Sequence, residues 1–351
     1  MAVTDLTYHI ESITSPDAAV LEEWNDFVVN VPKGTVFQGS AMFKLYFHVE
    51  GHHPFLLVLR GQSGQIEGGC LAVRMSNGKG LMARFSERVL IIGGPLISQS
   101  DSSAGRLLIQ QLKQLCRKTA VYIEFRPIDT FIEDDLFKLN EFKYEDHLNI
   151  LLDATNGTEP IWKNLSASRR NGISKSKRRG VVCRSINNHD FAQAYQILKN
   201  HYQHIGVPMP SQSYFAYIHD VMNPAGDAIV MGAYQNDTLI GALFALIDNR
   251  AVYNHYVASD YATFHLKPND LLIWSGIEEA VKRGCKYFDF MGAGKPQKKY
   301  GVRDFKLRFG GEMYHPGRYL WISKPHIYYM GVLALKMLNV LKPLKRLVFK
   351  D

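Results

Sequence analysis

Residues 301–311, GVRDFKLRFGG, set three cations (Arg303, Lys306 and Arg308) among two phenylalanines and close on a glycine pair. Read as a strand, alternation turns Phe305, Leu307 and Phe309 toward a core and Lys306 and Arg308 the other way. Two chemistries then stand open: a solvated basic face, or a cation held against a reacting group. The segment upstream, YFDFMGAGKPQKKY, favours the second. It carries a strand ending in Asp289 into a loop with Gly292, Gly294, Lys295, Lys298 and Lys299, and glycine lets backbone approach a ligand closely. A further basic stretch, Pro160 to Arg184, holds eight cations, Arg169 and Arg170 among them, and no acid. Without acids in the run no opposite-charge i,i+4 pair can form within it, and like charges repel. A polyanion that neutralises them is expected: phosphates of RNA, of a nucleotide or of a lipid headgroup.

At 351 residues the chain exceeds one core of ordinary size, so two domains are expected. Apolar residues at 46% and charged residues at 21% suit a globular protein with material for two cores. The net charge of +8 is local: segments 160–184 and 282–310 contribute +8 and +7, and the rest is net negative. Such clustering marks a place that meets phosphate or an anionic surface. Four scattered cysteines, without CxxC or Cys/His spacing, argue against structural zinc or a disulfide framework and predict buried thiols and no metal. The N-terminus lacks a basic region followed by an apolar run, so a cytoplasmic protein is expected. Near the C-terminus, IYYMGVLALKMLNVL (327–341) is interrupted by Lys336 and Asn339 and followed by Lys342, Lys345, Arg346 and Lys350. It falls short of the ~20 residues that span a bilayer. It reads either as a helix packed on the body or as an amphipathic helix on the inner membrane face.

The elements that must position these residues occur twice. LLIQQLKQLCRKTAVYIEF (107–125) and LLIWSGIEEAVKRGCKYFDF (271–290) share an apolar-periodic helix with a basic end and a strand of the form Tyr-apolar-acid-Phe. Each is preceded by a hairpin whose second strand has an early glycine, Gly69 or Gly241. The second half predicts strands near 181–186, 227–235, 238–248, 251–258 and 286–290, with helices near 188–203, 211–222 and 268–283. The class is mixed α/β (α+β) with mostly antiparallel meanders. The expected division is 1–155 and 156–310, then a strand at 311–324 returning to the first domain and a basic helix at 325–351. This order of elements is that of the GNAT acyltransferases, here in tandem with a C-terminal helix.

With SRRNGISKSKRRGV, YFDFMGA and GVRDFKLRFGG in this order, the sequence resembles the FemAB family of peptidoglycan-bridge aminoacyltransferases and related GNAT-type N-acyltransferases. The resemblance implies two GNAT-like domains and transfer of an acyl or aminoacyl group from an activated ester or thioester to a primary amine of a cell-envelope or saccharide precursor. It places the lysine of the family's Phe-Lys motif at Lys306, as the stabiliser of negative charge. Asp289, His255 and Tyr256 are then candidates for orienting the amine or taking its proton. Gly294, Lys295, Arg308, Arg169 and Arg170 are candidates for binding a phosphate-bearing substrate, and His204 stands where the family's Thr-x-x-Arg pattern supplies a cation. At the start of the 268–283 helix, FHLKPNDLLIW lacks the glycines of a CoA-type phosphate loop, leaving Lys267 to meet phosphate. No bound cofactor is implied; the donor is aminoacyl-tRNA, an acyl-carrier protein or acyl-CoA. A CoA-dependent N-acetyltransferase of a small amine or amino sugar is a second reading. A non-catalytic module binding RNA or membrane is a third. VFQGSAMFKLY near the N-terminus is similar to the family's Gln-Ser segment, without its Trp.

Overall fold

Apolar runs at His52–Arg60 and Ile66–Met75 are broken by GQSGQ and pair antiparallel, with Leu57 opposite Cys70. Their counterparts, Ala228–Gln235 and Thr238–Ile247, turn on Asn236 and Asp237, both at positive φ (47° and 61°). Asn and Asp tolerate that conformation, which a two-residue hairpin loop requires. The computed structural model describes residues 8–76, 85–98, 102–128 and 134–334. It contains two units: Met1–Lys33, Glu50–Glu145 and Arg318–Asp351 in the first, Gly34–Val49 and Asp146–Gly317 in the second.

The first sheet runs His9–Ile13, His52–Arg60, Ile66–Met75, Arg88–Ile92, Tyr122–Arg126, Arg318–Ile322, Lys143–Glu145. The second runs Val181–Ser185, Ala228–Gln235, Thr238–Ile247, Ala251–Ser259, Tyr287–Gly294, Leu148–Asp153, Glu312–Tyr314. In each, a meander leads through a crossover helix to a strand that pairs parallel: Arg88–Ile92 with Tyr122–Arg126 after Ser102–Cys116, and Ala251–Ser259 with Tyr287–Gly294 after Pro268–Lys282. The duplication read from 107–125 and 271–290 is therefore a duplication of topology, and the expected tandem GNAT-like α/β architecture is present. The cores repeat as well. Leu108, Ile109 and Leu112 of one crossover helix pack with Leu57, Ala72, Val89 and Phe125; Leu272, Ile273 and Ile277 of the other pack with Leu243, Val252 and Phe288. The early glycines have a steric reason. A Cβ at Gly69 would lie 2.5 Å from both the Trp24 ring and the Leu57 carbonyl oxygen, which leaves no room for a side chain there, and one at Gly241 would crowd Leu272 at 3.0 Å.

The strand expected over 301–311 is instead a helix, Gly301–Leu307. Period-two and helical spacing are hard to separate in so short a run, and Phe305 and Phe309 are also i and i+4. They stack edge-on at 5.4 Å, with Phe309 fully buried. Asp304 in the first turn and Lys306 in the last complement the helix dipole. In the first unit, residues 325–334 are helical. Tyr328 stacks on Tyr122 (5.4 Å) while Tyr329, Met330 and Leu333 are exposed. The rest of the expected C-terminal helix, 335–351, lies outside the described residues. No described helix is long and apolar enough to cross a membrane. Cys70, Cys116 and Cys285 are buried and Cys183 half-buried, all as free thiols.

Candidate active site

Strands Ala251–Ser259 and Tyr287–Gly294 pair only from Ala251 opposite Tyr287 to Tyr253 opposite Asp289. Beyond that row both continue without pairing to each other, which leaves a parted strand pair. Each arm is irregular at the parting. On one, Phe244 faces Tyr256 and Ala245 faces Asn254, so His255 is the extra residue of a β-bulge. On the other, register against Leu148–Asp153 shifts twice after Asp289, and Met291 has a φ of 60°. Positive φ is costly for such a side chain.

Asp289 and Lys306 hold that strained turn. The Met291 N–H donates to Asp289 Oδ1 (2.6 Å) and Tyr314 O–H donates to Asp289 Oδ2 (3.0 Å), while Asn149 Nδ2 donates to the Tyr314 oxygen (3.1 Å). Lys306 Nζ donates to the carbonyls on either side of Met291, those of Phe290 (2.6 Å) and Gly292 (2.8 Å). An ammonium has three N–H donors, so one is left without a partner among the described residues. Burial pushes the Asp289 carboxyl up to about 6, against the pull of its hydrogen bonds and the nearby cation. It brings the Lys306 ammonium down to about 8, with Asp289 resisting.

On the bulged arm, His255 Nε2 lies 2.8 Å from the Tyr214 hydroxyl, and burial lowers the imidazole to about 4. Phe37, from the GSAMFKLY neighbourhood at the N-terminus, packs edge-on against Tyr253 (5.0 Å) and lies 6.1 Å from His255. The Val36 N–H donates to Asp248 Oδ2 (2.9 Å), which fastens that segment to the second unit. Tyr256 is half-buried against Tyr202 and Phe215.

Structure thus brings Asp289 and Lys306 together at one arm and His255 with Tyr256 on the other. The remaining candidates are distributed differently. Arg169 is not free for phosphate: its guanidinium pairs with Asp270 and lies 4.6 Å over the Phe305 ring, with both charged side chains largely buried. Arg170 donates to the carbonyls of Lys163 and Leu165 at the end of the Thr158–Asn164 helix. The acids missing from segment 160–184 come from outside it: Glu159 pairs with Lys163, Asp270 with Arg169 and Asp237 with Arg184. Lys177, Arg178 and Arg179 stay exposed at the helix end. Lys267 is exposed, at φ 61°, where the Pro268–Lys282 helix begins. His204 stacks beside Tyr261 (4.7 Å) on an exposed aromatic surface. Gly294 (φ 76°) lets the Tyr300 ring close on it, Arg303 ties the loop by donating to the carbonyls of Lys295 and Lys298, and the Arg308 side chain is exposed. Sequence reasoning missed Tyr214, Tyr314, Asn149 and Phe37, since a tyrosine in SQSYFAY or GEMYHPG carries no signal of its own. Among the described residues no cluster of three or more His, Cys, Asp or Glu could hold a metal ion.

Residues 163–306 match the family model of the acetyltransferase (GNAT) domain. No curated protein matches the sequence. Among solved structures, the fold of FemX is similar at a TM-score of 0.71 and 15% identity, over 91% of this chain and 99% of that one. A tandem GNAT protein of the clavulanic acid biosynthesis pathway is similar at 0.59 and 11%, over 90% and 98%. The C-terminal domain of an Agrobacterium fabrum protein assigned as a lysylphosphatidylglycerol synthetase is similar at 0.57 and 15%, over 92% and 97%. The expected FemAB-like tandem GNAT fold is borne out by these likenesses.

Proposed function

Starting from a chain that carries a GNAT acyltransferase domain within a tandem GNAT fold, we propose that it moves an acyl or aminoacyl group from an activated ester or thioester to a primary amine, of a cell-envelope or saccharide precursor. The observation that carries this reading is the parted strand pair, with a buried carboxylate and a half-buried ammonium at one arm and a bulged histidine on the other. Acyl transfer needs a neutral amine, donors for the oxygen on which negative charge develops, and a group to take the amine's proton. Asp289, ionised near neutrality yet raised far enough to accept a proton, suits the last role. The spare N–H of Lys306 suits the second, and His255 with Tyr256 would orient the reactants. For the donor, the start of the Pro268–Lys282 helix, FHLKPNDLLIW, has none of the glycines whose backbone N–H groups would cradle a CoA pyrophosphate, which disfavours CoA there. Aminoacyl-tRNA, which the FemAB resemblance implies, is favoured over acyl-CoA, with the exposed Lys177, Arg178 and Arg179 as its electrostatic contact. Exposed Tyr329, Met330 and Leu333 support peripheral contact with the inner membrane face.

The test is a screen of full-length protein with labelled aminoacyl-tRNA, acyl-carrier protein and acyl-CoA against amino sugars and amine-bearing envelope precursors. Donor consumption that requires an amine, with a labelled amide as product, is expected. Donor binding without amine-dependent consumption across the set would overturn catalysis and leave a basic binding module.

A further inference from the structure

The two polar atoms that meet at Tyr214 and His255 can share a proton in only one economical way. Tyr214 is 4% exposed, and its hydroxyl has one partner among the described residues, His255 Nε2 at 2.8 Å. If Nε2 carried the hydrogen and donated to the tyrosine oxygen, the hydroxyl's own hydrogen would be buried with no acceptor. Leaving a buried donor unmade is costly. If Tyr214 donates, both atoms are satisfied and Nε2 must be bare. The ring hydrogen of the neutral imidazole then sits on Nδ1.

Among the described residues that nitrogen is unspent. His255 makes no other hydrogen bond with them, and its Nδ1 is not among the sealed, partnerless polar atoms, so it keeps access to solvent or ligand. The bulge puts it on the arm of the parted strands that has left its partner, beside Tyr256. The packing that fixes the ring comes from three places: Phe37, Tyr256 and Tyr214 itself.

We propose that Tyr214 is a positioning residue that locks His255 in the Nδ1–H tautomer, and that His255 therefore serves the site as a hydrogen-bond donor to a ligand carbonyl oxygen and not as the base that takes the amine's proton. The donor half of this inference rests on the acyl-transfer reading; the tautomer half does not. A base needs a free lone pair, and the only one this ring has is already engaged by Tyr214. No bond is made or broken at His255: the carbonyl oxygen accepts its N–H, and the amine's proton leaves through another group.

The tautomer is read directly from long-range proton–nitrogen spectra of full-length protein labelled in histidine, with the His255 signals assigned by their loss in His255→Asn. The expected result is a protonated Nδ1 and an unprotonated, hydrogen-bonded Nε2, with Tyr214→Phe giving a mixture of tautomers. A dominant Nε2–H form in the wild type overturns the proposal even if Tyr214→Phe fails to fold, and an unchanged tautomer in a folded Tyr214→Phe overturns the lock. The second arm uses whichever donor the screen identifies. His255→Asn, which keeps an N–H near the Nδ1 position, should retain at least tenfold more turnover than His255→Leu, which should fall about 10²-fold. Equal loss in both variants overturns the donor role. If the screen finds no donor, the spectra still decide the tautomer, so failure of the acyl-transfer reading is told apart from failure of this one.

Discussion

Burial moves Asp289 up to about 6 and Lys306 down to about 8, and both groups hold the Met291 turn from opposite sides. If transfer needs an ionised Asp289 and a protonated Lys306, turnover rises with pH through about 6 and falls through about 8, a bell that kcat/KM measurements across pH will show. Asp289→Asn should abolish the acidic limb along with most activity. The same shifts affect folding. Between its ordinary 3.8 and about 6 the folded Asp289 binds more protons than the unfolded chain, so its contribution makes stability fall as pH rises through that window. Lys306 binds fewer protons when folded between about 8 and its ordinary 10.5, so its contribution makes stability rise there. Melting curves of wild type and Asp289→Asn should diverge between pH 4 and 6 and run parallel above. Lys306→Met orphans two carbonyls as well as removing charge. It should lower Tm and cut turnover by about 2–4 kcal/mol in transition-state terms, and unchanged turnover in a folded variant would remove Lys306 from the chemistry.

At the scale of elements, the Ala167–Arg178 helix separates into two faces with different work. Its inner face meets the Pro268–Lys282 helix through Gly172, where a Cβ would collide with Asp270, and through the Arg169–Asp270 pair covered by Phe305 and Phe309. Its end shows Lys177 and Arg178, with Arg179 just beyond, to solvent. Removing one partner of a buried ion pair leaves an uncompensated charge, so Arg169→Gln should destabilise by about 3–5 kcal/mol in denaturant unfolding. Changing Lys177, Arg178 and Arg179 together to Gln should leave the unfolding midpoint nearly unchanged and lower both the affinity for tRNA and its salt dependence. An unaltered salt slope would make these three a solvated face and nothing more.

For the whole molecule, the chain's path is the feature with consequences. Arg318–Ile322, though late in sequence, pairs in the first sheet with both Tyr122–Arg126 and Lys143–Glu145. Leu148–Asp153, though early, pairs in the second sheet with both Tyr287–Gly294 and Glu312–Tyr314. Truncation after Gly317 strips an interior strand from the first sheet and should yield aggregated protein. Truncation after Lys324 keeps every described strand. That shorter chain should stay folded and lose the co-sedimentation with anionic vesicles that full-length protein shows at low salt, if exposed Tyr329, Met330 and Leu333 meet lipid. A full-length chain that never sediments with vesicles would retire the membrane reading.

By itself, the sequence determined the elements whose signal is periodic: the twin hairpins, the crossover helices with their basic ends, and the Tyr-apolar-acid-Phe strands that begin at Tyr122 and Tyr287. Side-chain alternation and helical spacing are local properties, and burial of one face enforces them wherever the chain folds. Sequence also marked Asp289, at a strand end before a basic glycine loop, and the cations of 301–311, among which the FemAB resemblance picked out Lys306. Tertiary structure decided what those charges do. The run Gly301–Leu307 is helical and sets Phe305 and Phe309 under Arg169, which is itself spent on an acid 101 residues away. The hydrogen bond that fixes His255 joins residues 41 apart whose local sequence gives no hint of pairing. Polar partners are chosen by the fold, since a buried donor takes whichever acceptor the packing brings within reach, and no local pattern records that choice.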